Sequence, residues 1–538
     1  MKRLVVLIVA GLGLLGCAPK NTFVYEGNPL VRDKYTADPA PMVASDGRLY
    51  LFCGHDECFE DRPGYEGMYG FNITEWLCYS TEDMVTWTDH GVVMKPTDFS
   101  WAIGEAWASQ AVEAPDGKFY FYVSTQCGDP NCKAVGVAVA DRPEGPYVDA
   151  IGKPLIVDSM TDNGPRGWWN DFDPTVMIDD DGTPWMCWGN GTCFLVKLKR
   201  NMVELDGEIM ILPMENYVEG PWLYKRDGHY YNVYASMGGE LESISYAMAD
   251  NVEGPWTFMG ELTGMAKDSF TIHPGVIDYK GKSYLFYHGS LLSLYGYGPA
   301  TGRRSVCVDE MMYNPDGTIR PVIQTEAGIK TDDLIVKYPA LEPYFSIPVA
   351  DAVTPDEQGF IRRWHLLEPI SKPNHTNTVF VDSYLRENLD TGWNKDGFEM
   401  PADGDKTAVD NKTLVWHQLD SKLFNVKLYR YAVGTCTGRY GVIFRAATVI
   451  DVPEDIHDVR LAAGSNSASM WWVDGEEVLD LSGDRRMVMD DGVSKRLTLT
   501  KGCHVITGSV INGPGMSDFC VRFVDEQGNP VNGYQIIK

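Results

Sequence analysis

The chain has 538 residues, of which 44% are hydrophobic and 12% aromatic, and its formal net charge is −29. This length predicts two to four domains that each bury a core, and the composition excludes an intrinsically disordered chain. The acidic balance argues against a nucleic-acid partner, because proteins that bind polyanions present Lys and Arg to the phosphates.

The N-terminal segment resembles a bacterial lipoprotein signal. A positive Met1-Lys2-Arg3 precedes the apolar run 4–16, which is too short to span a bilayer as a permanent helix. The run ends in LLGC at 14–17, which predicts cleavage before Cys17 and a lipid on its sulfur. The alternative is an ordinary cleaved signal peptide with a chance Cys. Either way we expect an exported protein with a linker over 18–28; as a lipoprotein it is held at a bacterial membrane, on the periplasmic or cell-surface face, only through Cys17.

A short phrase then recurs five times: a tight Asp-Gly or Lys-Gly turn followed by an aromatic strand. The five copies are DGRLYLFCG (46–54), DGKFYFYVS (116–124), DGTPWMCWG (181–189), DGHYYNVYA (227–235) and KGKSYLFYH (280–288). Glycine supplies the positive φ that a two-residue hairpin needs. Copies spaced by roughly 45–70 residues are typical of propeller blades of about four strands each. The pattern predicts an all-β fold, with a five-bladed β-propeller over 29–335. The alternative is an all-β sandwich with repeated turns.

A common register across the copies selects three acids. Eight residues before the turn stand Asp38, Asp173 and Glu219 in the first, third and fourth copies, whereas the second has the neutral Ala108. The fifth copy needs a loop one residue shorter and then has His273. The strand that follows each position is predicted to be the innermost strand of its blade, so these side chains converge at one mouth of the central channel. Convergent like charges are costly without a purpose.

Two opposed carboxylates suit the cleavage of a glycosidic bond. One acid protonates the leaving oxygen and the other carboxylate activates a water on the opposite side of the sugar. A third carboxylate can raise the pKa of the acid by like-charge repulsion.

Six segments together resemble glycoside hydrolase family 43. They are YTADPAP (35–41), AWASQAVEAPDGKFYFY (106–122), WNDFDPTVMIDDDG (169–182), YVEGPWLYKRDGHYY (217–231), FTIHPGVIDYKGKSYLFYH (270–288) and RRSVCVDEMMYNPDGTI (303–319). The resemblance implies a five-bladed propeller that inverts configuration, with Asp38 as general base, Glu219 as general acid, and Asp173 as the residue that tunes and positions Glu219. A related propeller family of fructosidases retains configuration and carries N-D-P-N-G at its nucleophile; TADPA in this chain disfavours that reading.

Five further residues are candidates around the acids. Arg304 matches a family arginine that reaches the sugar and the carboxylates, or else forms a surface ion pair. His273 lines the channel, contacts substrate, or is a ligand of a structural calcium ion on the propeller axis; the chemistry itself requires no cofactor. His288 packs or contacts substrate. Trp101 and Trp107 are candidate sugar platforms, with a role in the core as the alternative.

The resemblance is closest to the β-xylosidase and α-L-arabinofuranosidase branches of the family. It implies a plant cell-wall substrate, xylan or arabinoxylan or their oligomers. The choice of sugar, and of exo or endo action, depends on loops such as 55–74 and stays open. The alternative function is a non-catalytic glycan-binding surface lipoprotein on a propeller scaffold.

The last third of the chain lacks the repeated phrase. A Pro-rich linker is predicted over 336–360, and alternating strands over 361–538 predict a β-sandwich, jelly-roll-like, accessory domain. The pair Trp471-Trp472 is either a sugar platform or part of the packing of this domain.

Overall fold

The structure, a computed structural model, describes residues 21–57, 71–161, 166–237, 239, 241–372, 381–395, 397–435, 440–512 and 515–537. The predicted signal sequence with Cys17 and most of the loop 55–74 lie outside these residues and stay predictions. Contacts divide the chain into two compact units, Met1–Val308 and Asp309–Lys538. The predicted domain boundaries at 335 and 360 stay predictions. Over the described ranges, no helix combines the length and the apolar character that crossing a membrane requires.

The first unit is built from five successive antiparallel sheets. The first sheet has β1 (Asn21–Val24), β2 (Tyr35–Val43), β3 (Leu49–Asp56), β4 (Ile73–Thr81) and β5 (Thr86–Met94). The second has β6 (Ala102–Gly104), β7 (Ser109–Glu113), β8 (Phe119–Gly128), β9 (Asn131–Ala140), β10 (Val148–Asp149) and β11 (Ile156–Val157). The third has β12 (Thr175–Ile178), β13 (Pro184–Trp188), β14 (Cys193–Lys197) and β15 (Met210–Leu212). The fourth has β16 (Tyr217–Arg226), β17 (His229–Met237), β18 (Glu242–Ala249) and β19 (Thr257–Thr263), and the fifth has β20 (Gly275–Tyr279), β21 (Lys282–Gly289) and β22 (Ser305–Met311).

The sheets form a closed ring through one strand of each. Contacts run from β2 to β7, from β7 to β12 and from β12 to β16, and β20 returns to β2. The remaining gap is closed where the indole N–H of Trp222 in β16 donates to the carbonyl oxygen of Val276 in β20, at 2.9 Å. The sequence-based prediction of an all-β fold with a five-bladed propeller is therefore confirmed, and β2, β7, β12, β16 and β20 are the innermost strands.

The repeated turns account for the repeated hairpins. The glycine of each phrase has a positive φ, from 79° to 86°, at Gly47, Gly117, Gly182, Gly228 and Gly281. In the fourth and fifth blades the preceding Asp227 and Lys280 also have a φ of 49°, as a two-residue hairpin turn requires. In the first blade the loop is longer, and the Asp46 side chain accepts the N–H of Arg48 at 3.0 Å. Asp46 is thus a turn residue.

The second unit contains strands of two antiparallel sheets. The strands are β23 (Phe345–Ser346), β24 (Ala352–Val353), β25 (Arg363–Leu367), β26 (Ile370–Ser371), β27 (Lys406–Val409), β28 (Lys412–Ser421), β29 (Val442–Val452), β30 (Ile456–Ser465), β31 (Ser469–Val473), β32 (Glu476–Leu481), β33 (Gly492–Val493), β34 (Leu497–Leu499), β35 (Gly502–Asn512), β36 (Phe519–Val524) and β37 (Gln535–Ile537). The smaller sheet pairs β30 with β33, β34 and β36, and the other strands form the larger sheet. Three short helices, α1 (Leu334–Lys337), α2 (Asp382–Asn388) and α3 (Leu428–Thr435), accompany them.

One apolar core joins both sheets, so the second unit is the predicted β-sandwich. Phe444 of the larger sheet and Phe523 of the smaller sheet belong to the same buried cluster. Trp471 and Trp472 are both 0% exposed. Trp471 lies in this core, whereas Trp472 belongs to a second cluster with Leu385 of α2. Adjacent strand residues face opposite sides, and both sides are covered here, so neither indole is an exposed sugar platform.

Candidate active site

The register positions of the five blades meet on the axis of the propeller. A small cavity of about 20 Å³ is lined by residues in, or directly before, all five innermost strands, including Asp38, Ala108, Asp173, Gly220 and His273. A larger cavity of about 290 Å³ is lined by Asp38, Asp173, Glu219, His273 and Arg304. The structure thus brings the three predicted acids together with the candidate residues His273 and Arg304.

The backbone turns sharply where the acids lie. Asp38 and Asp173 have φ values of 55° and 52°, in the left-handed region that residues other than glycine rarely adopt. In the fourth blade the positive φ of 57° falls instead on Gly220, directly after Glu219. Pairing is interrupted at the same places, between Ala37 and Ala40 in β2 and after Glu219 in β16. Such bulges redirect side chains and concentrate at functional sites.

Asp38 is buried and held by three basic groups. Its Oδ1 accepts from Nη1 of Arg304 at 2.9 Å and lies 3.1 Å from Nδ1 of His273. Its backbone N–H donates to Nδ1 of His288 at 3.2 Å. Because Nδ1 of His288 accepts a hydrogen bond, Nε2 carries the proton and donates to Thr271 at 3.0 Å. Burial, Arg304 and His273 lower the pKa of His288 well below its usual value, so it is neutral.

Glu219 is the most accessible of the three acids, with 12% of its side chain exposed, whereas 2% is exposed in Asp38 and in Asp173. Its Oε2 accepts from the amide nitrogen Nδ2 of Asn190 at 2.8 Å, and its Oε1 lies 3.1 Å from Nε2 of His273. The carboxylates of Asp38 and Glu219 therefore lie at opposite nitrogens of one imidazole ring. A ring and two hydrogen bonds separate them.

Asp173 is buried behind Glu219. Its Oδ2 accepts the N–H of Gly220 at 3.1 Å, while its Oδ1 is buried without a partner among the described residues. Burial raises the pKa of Asp173 well above its usual value, and the charges of Glu219 and Asp38 add to this against the opposing effect of His273. Its surroundings therefore favour the protonated form of Asp173 more than those of an exposed carboxyl group. Its bond to Gly220 fixes the backbone beside Glu219.

His273 connects the acids as a cation. Burial disfavours its charged form, but Asp38, Asp173 and Glu219 outweigh burial and raise the pKa of His273 to about 10. Its two ring nitrogens each face a carboxyl group, and the imidazolium that this pKa favours can donate a hydrogen bond to each.

A calcium ion on the axis was one prediction for His273. Asp173, Glu219 and His273 place one ligand atom each within 4.8 Å of one another. Calcium takes six to eight oxygen ligands, whereas this set offers two carboxylates and an imidazole whose nitrogens are both engaged. The residues as arranged do not fit an all-protein calcium site.

The charge on His273 gives a pH dependence. A folded-state pKa of about 10 lies above the ordinary value of about 6.5, so its stabilising contribution is fully present below about pH 6.5 and is lost as the pH rises through about 10. We expect His273→Gln to lower the melting temperature most at pH 6 and progressively less toward pH 10. Thermal unfolding of the wild type and the variant across this pH range checks the prediction. A difference in melting temperature that does not change with pH would contradict the charged state of His273.

Arg304 is held in place by Asp56, an acid that was not among the candidates predicted from the sequence. Its Nε and Nη2 donate to the two carboxylate oxygens of Asp56 at 2.9 and 3.0 Å, and its backbone N–H donates to the same group at 2.9 Å. Burial opposes the charge of Arg304, but Asp38 and Asp56 overcome it and raise the pKa of Arg304 above its usual value. Arg304 is buried and so is not part of a surface ion pair. No sequence signal marked Asp56, at the end of β3, or Asn190, in the loop after β13.

Of the remaining candidates Trp107, Trp101 and His288, one lines the larger cavity. Trp107 lines the larger cavity together with Phe71, Trp169 and Phe172. Trp101 does not line it: its indole packs against Cys127 and Cys132 in a small apolar cluster, and its N–H donates to Asp149 at 3.1 Å. His288 is 0% exposed and supports Asp38 from behind rather than lining the cavity. Trp101 and His288 therefore lie outside the cavity lining where the predicted sugar contacts would be made.

Comparisons with known proteins identify the family of the chain. The family model described as glycosyl hydrolases family 43 matches residues 26–319. The beta-D-galactofuranosidase xynD of Aspergillus niger is 30% identical, over 59% of this chain and 90% of its own length. The beta-xylosidase of Xylanibacter ruminicola is 29% identical, over 54% of this chain and 97% of its own length.

This chain spans only part of the length of two further relatives. The chain covers 52% of the arabinoxylan arabinofuranohydrolase of Paenibacillus polymyxa, at 28% identity over 56% of this chain. It covers 65% of the arabinoxylan arabinofuranohydrolase of Bacillus subtilis, at 29% identity.

Among solved structures, a beta-xylosidase/alpha-arabinofuranosidase from a compost microbial metagenome is similar over 56% of this chain and 98% of its own, with 26% identity and a TM-score of 0.48. The extent of the family match, over more than half of the chain, decides the assignment, and it agrees with the sequence-based resemblance. The chain belongs to glycosyl hydrolases family 43.

Proposed function

We propose that the chain is an inverting glycoside hydrolase that releases a pentose, xylose or arabinofuranose, from xylan- or arabinoxylan-type polysaccharides or their oligomers. The observation that carries this proposal is the convergence of Asp38, Asp173 and Glu219, from three blades, on one cavity. The volume of about 290 Å³ is at the small end of ligand sites and suits one sugar unit.

Asp38 acts as the general base. Its buried carboxylate is held by the contacts with Arg304 and His273, and it takes a proton from a water that attacks the anomeric carbon. Glu219 acts as the general acid on the opposite side and protonates the leaving oxygen. Its greater exposure suits a group that must reach the glycosidic oxygen. The imidazole ring of His273 holds the two carboxyl groups apart, and inversion needs a separated pair that leaves room for a water molecule.

Asp173 positions Glu219 rather than reacting itself. Its carboxyl binds the N–H of Gly220 and lies 3.7 Å from Nε2 of His273, which in turn contacts Glu219. Asn190 holds the other oxygen of Glu219. The general acid is thus oriented from both sides.

The pentose specificity rests on the names of relatives, which include a beta-xylosidase and arabinoxylan arabinofuranohydrolases. One relative is named a galactofuranosidase, so a hexofuranose belongs in the test. Hydrolysis of aryl β-D-xyloside, aryl α-L-arabinofuranoside, aryl β-D-galactofuranoside and arabinoxylan oligomers by the wild type and Glu219→Gln tests the proposal. The expected result is activity of the wild type on a pentoside, with a large loss in Glu219→Gln on the arabinoxylan oligomers. Inactivity on every pentoside and oligomer would overturn it, and oligomer binding without hydrolysis would favour the non-catalytic glycan-binding alternative. NMR of the first-formed anomer tests inversion separately.

A further inference from the structure

Glu242 is a buried acid at the site that the mechanism above does not use. It is the first residue of β18, its exposure is 2%, and it lines the same cavity as Glu219, His273 and Arg304. Burying a carboxyl group without full hydrogen bonding is costly, so its presence beside the acids calls for an explanation.

The hydrogen bonds of Glu242 satisfy only half of its carboxyl group. Its backbone N–H donates to the carbonyl oxygen of Phe270 at 3.3 Å, and its Oε2 accepts the N–H of Ile272 at 3.2 Å. These bonds fix the side chain against the segment that leads to His273. Among the described residues the structure gives the carboxyl group this one hydrogen bond, so its other oxygen is available to a molecule in the cavity that Glu242 lines.

The raised pKa of Glu242 suits a neutral, hydroxyl-rich ligand. Burial raises its pKa well above the usual value, and the charges of Glu219 and Asp173 add to this while His273 opposes it. A protonated carboxyl group both donates and accepts hydrogen bonds. A sugar hydroxyl does the same, so the two groups match without an added charge.

We propose that Glu242 is a specificity-determining residue that binds one hydroxyl group of the sugar held beside Asp38 and Glu219. The inference rests on the proposed function, because it names a contact within that same site. It predicts that substrate choice depends on Glu242 while the protonation chemistry does not. The purely structural alternative is that Glu242 only anchors the backbone of Ile272.

The test combines enzyme variants with substrates that lack single hydroxyl groups. Glu242→Gln keeps the shape and can still accept from Ile272, whereas Glu242→Ala removes the whole group. Glu253→Gln is the matched control, because Glu253 is exposed in the same blade. For each protein, kcat and KM are measured on the best aryl glycoside and on its monodeoxy analogues, with the melting temperature as a check on folding.

We expect Glu242→Ala to lower kcat/KM on the parent substrate by about 10- to 100-fold, the loss expected for one hydrogen bond in a buried site. On the single analogue that lacks the bound hydroxyl, wild type and variant should differ by less than about 2-fold, because the contact is already gone. Glu253→Gln should match the wild type throughout.

The inference would be overturned if the variants kept full kcat/KM on the parent substrate, or if they lost the same factor on every analogue. The latter result would mean that Glu242 only anchors the backbone of Ile272. Failure of the proposed function is distinguishable, since the wild type would then hydrolyse none of the glycosides. In that event calorimetric titration with free xylose and arabinose decides: weaker binding by Glu242→Gln supports the contact, whereas equal or absent binding overturns it.

Discussion

Replacing Glu219 with Gln is expected to lower kcat/KM on xylo- or arabino-oligosaccharides by about 10²- to 10⁴-fold, the usual contribution of a general acid. The loss should be much smaller on an aryl glycoside whose phenolate departs without protonation. The reason is that Gln keeps the shape and accepts from Asn190 but has no proton to give to the leaving oxygen. Steady-state kinetics on both substrate types measures the difference.

Asp38→Asn is the informative comparison for this prediction. The base acts on the attacking water, so its removal should depress hydrolysis of both substrate types by similar factors. Glu253→Gln is the matched control, since Glu253 stands in the same E-G-P phrase as Glu219 but is exposed between β18 and β19. Equal losses of Glu219→Gln on the oligosaccharide and on the aryl glycoside would exclude Glu219 as the general acid.

Asp56→Asn is expected to destabilise the protein by about 3–5 kcal/mol, the typical cost of breaking a buried ion pair from one side. The neutral amide cannot match the charge of Arg304, whose guanidinium is buried and bound by both oxygens of Asp56. Arg304 also donates to Asp38, so we expect kcat/KM to fall as well. Thermal unfolding and steady-state kinetics measure the two effects.

The double variant Asp56→Asn/Arg304→Met separates charge from shape. Removing both charges should restore part of the stability lost by Asp56→Asn, because no unpaired cation remains, while activity should stay low. If Asp56→Asn alone unfolded at the same temperature as the wild type, the pair would not be a structural anchor, and Arg304 would be held by other contacts.

The sequence by itself determined the propeller and the position of its three acids. The glycines of the five turns adopt the positive φ that the repeated phrase predicts, and that phrase sets the register of the strand before it. Because turn chemistry and strand alternation are local, counting back from each turn reached Asp38, Asp173 and Glu219. All three line one cavity.

Only the tertiary structure decided what surrounds those acids. Asp56 and Arg304 are 248 residues apart in the chain, and Asn190 and Glu219 are 29 apart, so no local pattern links them. The same limit applies to Trp101, which its neighbours bury away from the cavity, and to His288, which supports Asp38 from behind. These placements depend on which blades become neighbours when the ring closes. Long-range packing sets that arrangement, and sequence periodicity does not encode it.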